Sequence, residues 1–365
     1  MKFRVGVIGV GGIGKNHLKA LRKIDVAETV AVADIVADLA KSVAVEYNLK
    51  WYTDYVEMIE KEKLDVVSIC VPHFLHRKAV CEAANMGVNI LLEKPIAISI
   101  KEADLMINEA RRNNVKFGVV FQNRYRKTFS SMKRLVENGK LGNLFRALLQ
   151  YNTFRSQAYY RSAEWRGKWS TEGGGVLITQ GIHYIDIFQW VIGKRPKLIF
   201  GVFDTLAHKI EVEDIATATI LFEEGVQAMI QMSTLDHPPI TRIEIRGEKG
   251  YTEANENSLK IFYNTPSVKE ELKGVWETPA VEWEALGVEE NWEDFHELIY
   301  RDFFESIAKD REPLITGEEA RKSLEIVNAW VASWHLKKPI NFPLDPELYD
   351  KVLNDLKRED IKPLN

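Results

Sequence analysis

The chain has 365 residues, 45% hydrophobic and 28% charged, enough for two globular domains with a core each. Its 49 basic and 53 acidic side chains leave a net charge of −4, which argues against a nucleic-acid partner. No apolar run reaches bilayer length and a strand stands at the start with no signal peptide ahead of it. A cytoplasmic protein without a membrane partner is therefore expected.

Residues 3–8 read as a buried strand, followed by a turn of the form G-x-G-x-x-G at Gly9, Gly11 and Gly14. Gly9 permits the tight turn, Gly11 lets a pyrophosphate approach the backbone, and Gly14 lets the next helix pack close to the strand. Gly12 and Ile13 lie at the N-terminus of that helix, where free N–H groups and a partial positive charge suit phosphates. A second strand, 29–33, ends at Asp34, at the distance where a dinucleotide fold places the acid that holds the adenosine ribose. Asp34 would repel a 2′-phosphate, and Ile35-Val36 offers no arginine to receive one. The expected cofactor is NAD rather than NADP.

Further strands at 66–71, 89–92 and 117–121 alternate with helices near 36–47, 54–62, 75–86 and 101–114. Such alternation predicts a doubly wound parallel sheet. Ser99 with Glu102 forms a capping box for the last of these helices. Cys70 in a strand and Cys81 in the following helix read as two reduced core thiols. The strand at 89–92 runs into Glu93-Lys94-Pro95, at a carboxyl end where such sheets bind ligands. Lys94 would emerge beside a nicotinamide ring, and Pro95 stiffens the backbone and admits a cis bond. Position alone leaves a solvated loop lysine equally open.

After a helix near 128–138 the pattern changes. A strand at 144–154 leads into an aromatic loop with Tyr159, Tyr160, Arg161 and Arg166. Gly173-Gly174-Gly175 opens a helix to about residue 191, with Thr179, His183 and Asp186 at i, i+4 and i+7 on one face. Strands at 214–223, 226–234, 240–246, 251–254 and 258–263 follow without helices between them, so this half is α+β with a mostly antiparallel sheet. Residues 264–291 read as an irregular, acidic, exposed loop. Helices near 292–309 and 317–337 close the chain, the latter with a capping box of Thr316 and Glu319. The expected domains are 1–123 and 124–365. Strands 214–223 and 226–234 are apolar on both faces, Ile220 and Phe222 on one, Leu221 and Ala218 near the other. One helical layer covers one face of a sheet, so a homodimer or homotetramer is expected.

These motifs together resemble the Gfo/Idh/MocA oxidoreductases over nearly the whole chain. The matching residues are Gly9 to Gly14, Val71-Pro72 with His76, Glu93-Lys94-Pro95, Asn123-Arg124-Tyr125, and the triple glycine with Gly181, His183 and Asp186. The resemblance implies an N-terminal Rossmann domain and a C-terminal α+β domain with an open-faced sheet. It implies hydride transfer between NAD(P) and a hydroxyl carbon of a sugar, cyclitol or nucleotide-sugar derivative, with Lys94 and His183 as the catalytic pair. It extends the cofactor site from Gly9, Gly11, Gly12, Ile13, Gly14 and Asp34 to Pro72, His76, Glu93, Lys94 and Asn123. On the substrate side it points to Lys94, Tyr159, Arg166, Thr179, His183 and Asp186.

Thr179 stands where many dehydrogenases of this family carry Asp. The run Trp165-Arg166-Gly167-Lys168-Trp169 before the triple glycine looks more like members acting on nucleotide-sugar uronates. Clustered arginines there suit a carboxylate or phosphate. In such a reaction a neutral His183 can accept the hydroxyl proton and the Lys94 ammonium can stabilise the developing alkoxide. Which of the two takes the proton stays open. His17, His73 and His76 do not make a metal set, so no metal is expected. The alternative is a non-catalytic NAD-binding sugar sensor of the same fold, which has no need of the Lys94 and His183 pair.

Overall fold

The computed structural model of the chain describes residues 2–271, 280–286 and 295–358. Its first sheet is built from β1 (Phe3–Ile8), β2 (Ala27–Ala33), β3 (Lys50–Tyr52), β4 (Val66–Ile69), β5 (Asn89–Glu93) and β6 (Phe117–Val120). The strand order is β3-β2-β1-β4-β5-β6, and every pair is parallel. β4 and β6 are buried along their whole length and β5 nearly so, because helices cover both faces of a doubly wound sheet. The crossovers are α1 (Gly12–Leu21), α2 (Ala37–Tyr47), α3 (Tyr55–Glu62), α4 (His76–Asn85) and α5 (Ile100–Arg112). β3 is too short for its periodicity to be read, and the sequence pattern misses it. Ser99 caps α5 as expected, accepting from the Glu102 N–H at 3.3 Å.

Register fixes the working edge of this sheet. Ile8 pairs with Ala33 on one side and Ile69 on the other, and Ile69 pairs with Leu92. The residues that follow, Gly9, Asp34 and Cys70, with Glu93 as the last residue of β5, therefore stand in one row at its carboxyl edge. The strand order reverses between β2-β1 and β4, which makes this row the switch point where such folds bind ligands.

The second sheet comprises β7 (Leu144–Phe154), β8 (Pro196–Asp204), β9 (Ile215–Phe222), β10 (Gln227–Ser233), β11 (Leu235–Gly247), β12 (Gly250–Ala254), β13 (Leu259–Thr265), β14 (Ala280–Leu286) and β15 (Ile340–Asn341). Among the described residues nine strands run in the order β14-β13-β12-β11-β7-β10-β9-β8-β15, and of these only β7 and β10 pair in parallel. The helices interspersed are α6 (Lys127–Glu137), α7 (Gln157–Arg161), α8 (Val176–Thr179), α9 (Ile182–Ile192) and α10 (Val268–Glu271).

Three expectations for this half are corrected. The helix after the triple glycine is broken at Gln180-Gly181, between α8 and α9. A Cβ on Gly181 would sit 2.3 Å from Met232 Sδ and 2.8 Å from the Val176 carbonyl oxygen, so the break falls where a side chain would not fit. Ala218 lies with Ala216, Ile220 and Phe222 on the buried face of β9, opposite Leu221, because a strand alternates with period two. The stretch 264–291 holds the short α10 and strand β14, where Val281, Trp283 and Ala285 alternate with Glu282 and Glu284. Its remaining parts, 272–279 and 287–291, lie outside the described residues.

The chain closes with α11 (Phe295–Ala308), α12 (Gly317–Leu336), then β15, and α13 (Pro346–Leu356). Thr316 caps α12, accepting from the Glu319 N–H at 3.2 Å. By contacts the chain forms two units, Met1–Gln122 with Glu293–Leu324, and Asn123–Trp292 with Glu325–Asn365. A single boundary after residue 123 does not describe this division. α11 belongs to the first unit because Phe304 stacks on Phe3 (ring centroids 5.2 Å apart) and Phe303 fills the space left by Gly118.

Candidate active site

The first unit presents a phosphate cradle at its carboxyl edge. Gly9 has φ +84°, and a Cβ there would lie 2.7 Å from the Cys70 carbonyl oxygen. At Gly14 a Cβ would lie 2.1 Å from the Gly9 oxygen. At Gly11 and Gly12 it would meet nothing within 4 Å, so the turn is tight beneath and open above. α1 has no side-chain cap and no acid in its first turn, and Gly11, Gly12 and Ile13 are exposed. Open amides at a helix N-terminus suit a pyrophosphate. Asp34 is held at the same edge, its two carboxylate oxygens accepting from the Val10 and Val36 N–H groups at 3.0 Å each. Each oxygen keeps a lone pair for a ribose hydroxyl. These residues fit a dinucleotide.

Lys94 leaves β5 half-buried, and its bond to Pro95 is cis. Two residues expected at the cofactor turn inward instead. His76 is fully buried, with Nδ1 2.9 Å from the Pro95 oxygen and Nε2 2.9 Å from the Val71 oxygen. It clasps the loops after β4 and β5, and burial lowers its pKa against those two carbonyl contacts. Glu93 is 6% exposed, with Oε1 2.8 Å from His17 Nε2 and Oε2 accepting from the Lys94 N–H at 3.1 Å. The ligand atoms of His17, Glu93 and His296 lie within 4.8 Å of one another, and the 2.8 Å contact between the first two is a hydrogen bond. Pro72 is half-buried at the start of the turn His73–Leu75. Cys70 and Cys81 are both free, and burial pushes the Cys70 thiol well up.

In the second unit, His183 is half-buried in the first turn of α9. The expected polar stripe does not form. Asp186 is wholly buried and accepts from Arg124 Nε at 2.7 Å and Nη2 at 2.8 Å, so its carboxylate is not offered to a substrate. Thr179 ends α8 and donates through Oγ1 to Glu172 Oε1 at 2.7 Å. Glu172 is the functional-site neighbour that sequence reasoning missed. It is buried, it also accepts from the Gly167 N–H, and Arg166 Nη1 lies 3.7 Å away. An acid directly before three glycines was the available signal.

Tyr159 Oη accepts from Arg166 Nη1 at 2.5 Å and from Gln180 Nε2 at 2.9 Å. The Arg166 guanidinium lies over the Tyr159 and Trp165 rings at 4.4 and 4.5 Å. Tyr160 is buried against Thr234, and Arg161 is exposed. Asn123 is buried, with Oδ1 accepting from Arg126 Nε at 3.3 Å. The triple glycine packs on Glu213, where a Cβ on Gly175 would lie 1.9 Å from the Glu213 backbone oxygen. Glu213 Oε1 accepts from the Gly175 and Leu177 N–H groups, and burial pushes its carboxyl up to about 7. Among the described residues no helix is long and apolar enough to cross a membrane.

Residues 3–121 match the oxidoreductase family with an NAD-binding Rossmann fold, and residues 129–253 match the GFO/IDH/MocA C-terminal domain. The myo-inositol 2-dehydrogenase of Thermotoga maritima is 27% identical over 256 residues, 68% of this chain and 74% of that protein. The D-apiose dehydrogenase of Paraburkholderia graminis is 25% identical over 342 residues, 90% of this chain and 86% of its own. The WlbA dehydrogenase of Bordetella pertussis, solved with NADH and UDP-GlcNAcA, is similar at a TM-score of 0.81 and 27% identity. That likeness covers 94% of this chain and 98% of the other.

Proposed function

The chain belongs to the Gfo/Idh/MocA oxidoreductases, and from that premise we propose that it moves a hydride between NAD and a hydroxyl carbon of a sugar-like substrate, with Lys94 and His183 as catalytic residues. The row of strand ends carries this reading: one register delivers the glycine turn, Asp34 and the Glu93-Lys94 peptide to the same edge. The Gly11–Ile13 amides would hold the pyrophosphate and Asp34 the ribose. Bound NAD supplies the hydride acceptor for alcohol oxidation. The Lys94 ammonium hydrogen-bonds the reacting oxygen and stabilises the alkoxide. His183, in its neutral form, takes the hydroxyl proton.

On the substrate side, Arg166 favours an acidic sugar. Arg124 uses its Nε and Nη2 edge to fork onto a carboxylate. Arg166 Nε is buried without a hydrogen-bond partner among the described residues, while its Nη1 bonds Tyr159 and lies 3.7 Å from Glu172. A guanidinium in this loop suits a carboxylate, and the WlbA relative was solved with UDP-GlcNAcA. A sensor without turnover is the less favoured alternative, since the curated relatives above are dehydrogenases.

The test is NADH formation on a panel of inositols, neutral sugars, uronates and nucleotide-sugar uronates. Lys94→Ala and His183→Ala should each lose about a hundredfold or more in kcat while NADH binding, followed by fluorescence, holds. Near-wild-type kcat in either variant removes that residue from the mechanism. Binding without turnover across the whole panel favours the sensor.

A further inference from the structure

Within the second unit, the connection between β8 and β9, residues 205–214, lies along the segment 155–169 that carries Tyr159 and Arg166. The Lys209 N–H donates to Gln157 Oε1 at 2.8 Å, the Glu211 N–H to the Gly167 oxygen at 2.7 Å, and the Trp169 N–H to Glu211 Oε2 at 3.1 Å. Ile210 packs beside Gly167, where a Cβ would lie 2.7 Å from its Cγ2. Asp214, wholly buried, folds the connection on itself. Its Oδ1 accepts from the Leu206 N–H at 2.8 Å, and its Oδ2 from the Ala207 and His208 N–H groups at 3.0 Å each.

The His208 ring joins the two segments. Its side chain is 7% exposed, with Nδ1 3.0 Å from Asp214 Oδ2 and Nε2 2.8 Å from the Arg155 backbone oxygen. A carboxylate and a backbone carbonyl only accept, and a neutral imidazole has a single N–H, so only the imidazolium makes both bonds. When the ring gives up a proton, the bond to the charged carboxylate is the one that survives. Nε2 then turns a lone pair toward the Arg155 oxygen. Arg155 stands directly before Ser156, the N-cap residue of α7, so the bond lost is the one at the base of the helix that carries Tyr159. Tyr160 of that helix lies against the ring, centroids 4.7 Å apart, and burial raises its phenol far above the usual range, so it stays neutral. The Glu172 and Glu213 carboxyls act on Tyr160 in turn. The nearby cations are Arg155, which donates through Nη1 to the Phe154 oxygen at 2.9 Å and lies 5.4 Å over the Tyr159 ring, and the exposed Lys209.

We propose that His208, as an imidazolium held between Asp214 and the Arg155 carbonyl, is the positioning residue for the segment that bears Tyr159 and Arg166. Its importance for turnover rests on the substrate role proposed above for Arg166. The protonated ring ties the segment to a connection that Asp214 keeps folded in either state. As pH rises and the proton leaves, the connection stays in place and the segment is released from it. An acidic sugar would therefore be held best on the acid side of this step.

The experiment needs no substrate. Deuterium exchange on the whole protein, read by mass spectrometry between about pH 5 and pH 9, follows two quantities. Exchange at the His208 ring C2–H steps where the ring loses its proton. Protection factors of the amides across 157–162 report the hold on α7 with the intrinsic pH dependence of exchange removed. His208→Asn, whose amide reaches Asp214 but falls short of Arg155, should lower that protection by about tenfold at every pH. His208→Gln, whose amide reaches the Nε2 position, should keep the high value at every pH. Wild type should match His208→Gln at the acid end and pass to the His208→Asn value at the pH of its own ring step. Circular dichroism and NADH binding by fluorescence establish that each variant is folded. A ring step with no change in protection overturns the proposal, as does a folded His208→Asn that is as well protected as wild type at the acid end. Should a variant not fold, the coincidence of the two wild-type steps decides. An enzyme inactive on every sugar would sink the proposed function and leave this comparison standing.

Discussion

Thr179 donates its hydroxyl to Glu172, Oγ1 to Oε1 at 2.7 Å, inside the second unit. Thr179→Asp would set a second carboxylate against a buried first. Two carboxylates in one site resist joint ionisation, so the pair holds a proton near neutrality. The folded pKa then lies above the unfolded one, the folded state binds more protons, and stability falls as pH rises through that range. Between about pH 5 and pH 8 the Tm of Thr179→Asp should drop steeply relative to wild type. Thr179→Val removes only the donor and should cost about 1–3 kcal/mol at every pH in that range. Parallel melting profiles for the two variants would show that the contact is not made.

Glu213 gives a pH prediction for the wild-type protein. Burial, aided by the Glu172 charge, pushes its carboxyl up to about 7. In the unfolded chain it titrates near about 4.3. With the folded pKa raised, its contribution to stability is fully present below the unfolded value and is lost as pH rises through 7. Glu213→Gln keeps an oxygen to accept from the Gly175 and Leu177 N–H groups and removes the titration. Its Tm should change less with pH than wild type and equal or exceed it at about pH 8. A variant that melts with the wild-type slope would place the titration elsewhere.

Asp34 should select NAD. Both of its oxygens face backbone N–H groups, so the carboxylate is fixed where a 2′-phosphate would sit. Wild type should bind NADH at least about tenfold tighter than NADPH, a difference of about 1.4 kcal/mol. Asp34→Ser should narrow that gap. Tighter NADPH binding by the wild-type protein would contradict this reading.

The glycine turn, Asp34 and Lys94 were legible in the sequence because their constraints are local. Gly9 needs its left-handed φ, Gly14 a close approach to Gly9, and Lys94 only the end of a strand. What the pattern could not show depends on partners distant in the chain. Asp186 looks like a cleft residue until Arg124, 62 positions away, takes it. Glu93 looks like a cofactor contact until His17, 76 positions away, turns it inward. The helix break before His183 falls at Gly181, where Met232 on β10 leaves no room for a Cβ. Helical periodicity holds no trace of that neighbour. α11 joins the first unit through Phe303 and Phe304, and no composition shift marks the return.

The exposed face of the second sheet should be a contact between two copies of the chain. Register lines up Phe200 on β8, Thr219 on β9, Met229 on β10 and Leu148 on β7 in one row across four strands. Phe200 and Met229 are 46% and 45% exposed, and Val202 beside them is 42% exposed. The next row carries Val202, Thr217, Gln231, Gln150 and Arg242, so the apolar row has a polar border. Ala216, Ala218, Ile220 and Phe222 already bury the opposite face of β9. An apolar strip with a polar rim on one flat face suits a two-fold, self-complementary contact. Light scattering at micromolar concentration should report at least a dimer. Met229→Asp places a charge at the middle of the row and should shift the protein to monomer while leaving NADH binding in the first unit unchanged. A wild-type monomer would refute the contact outright. A Met229→Asp variant that stays dimeric would move the interface to another face of the molecule.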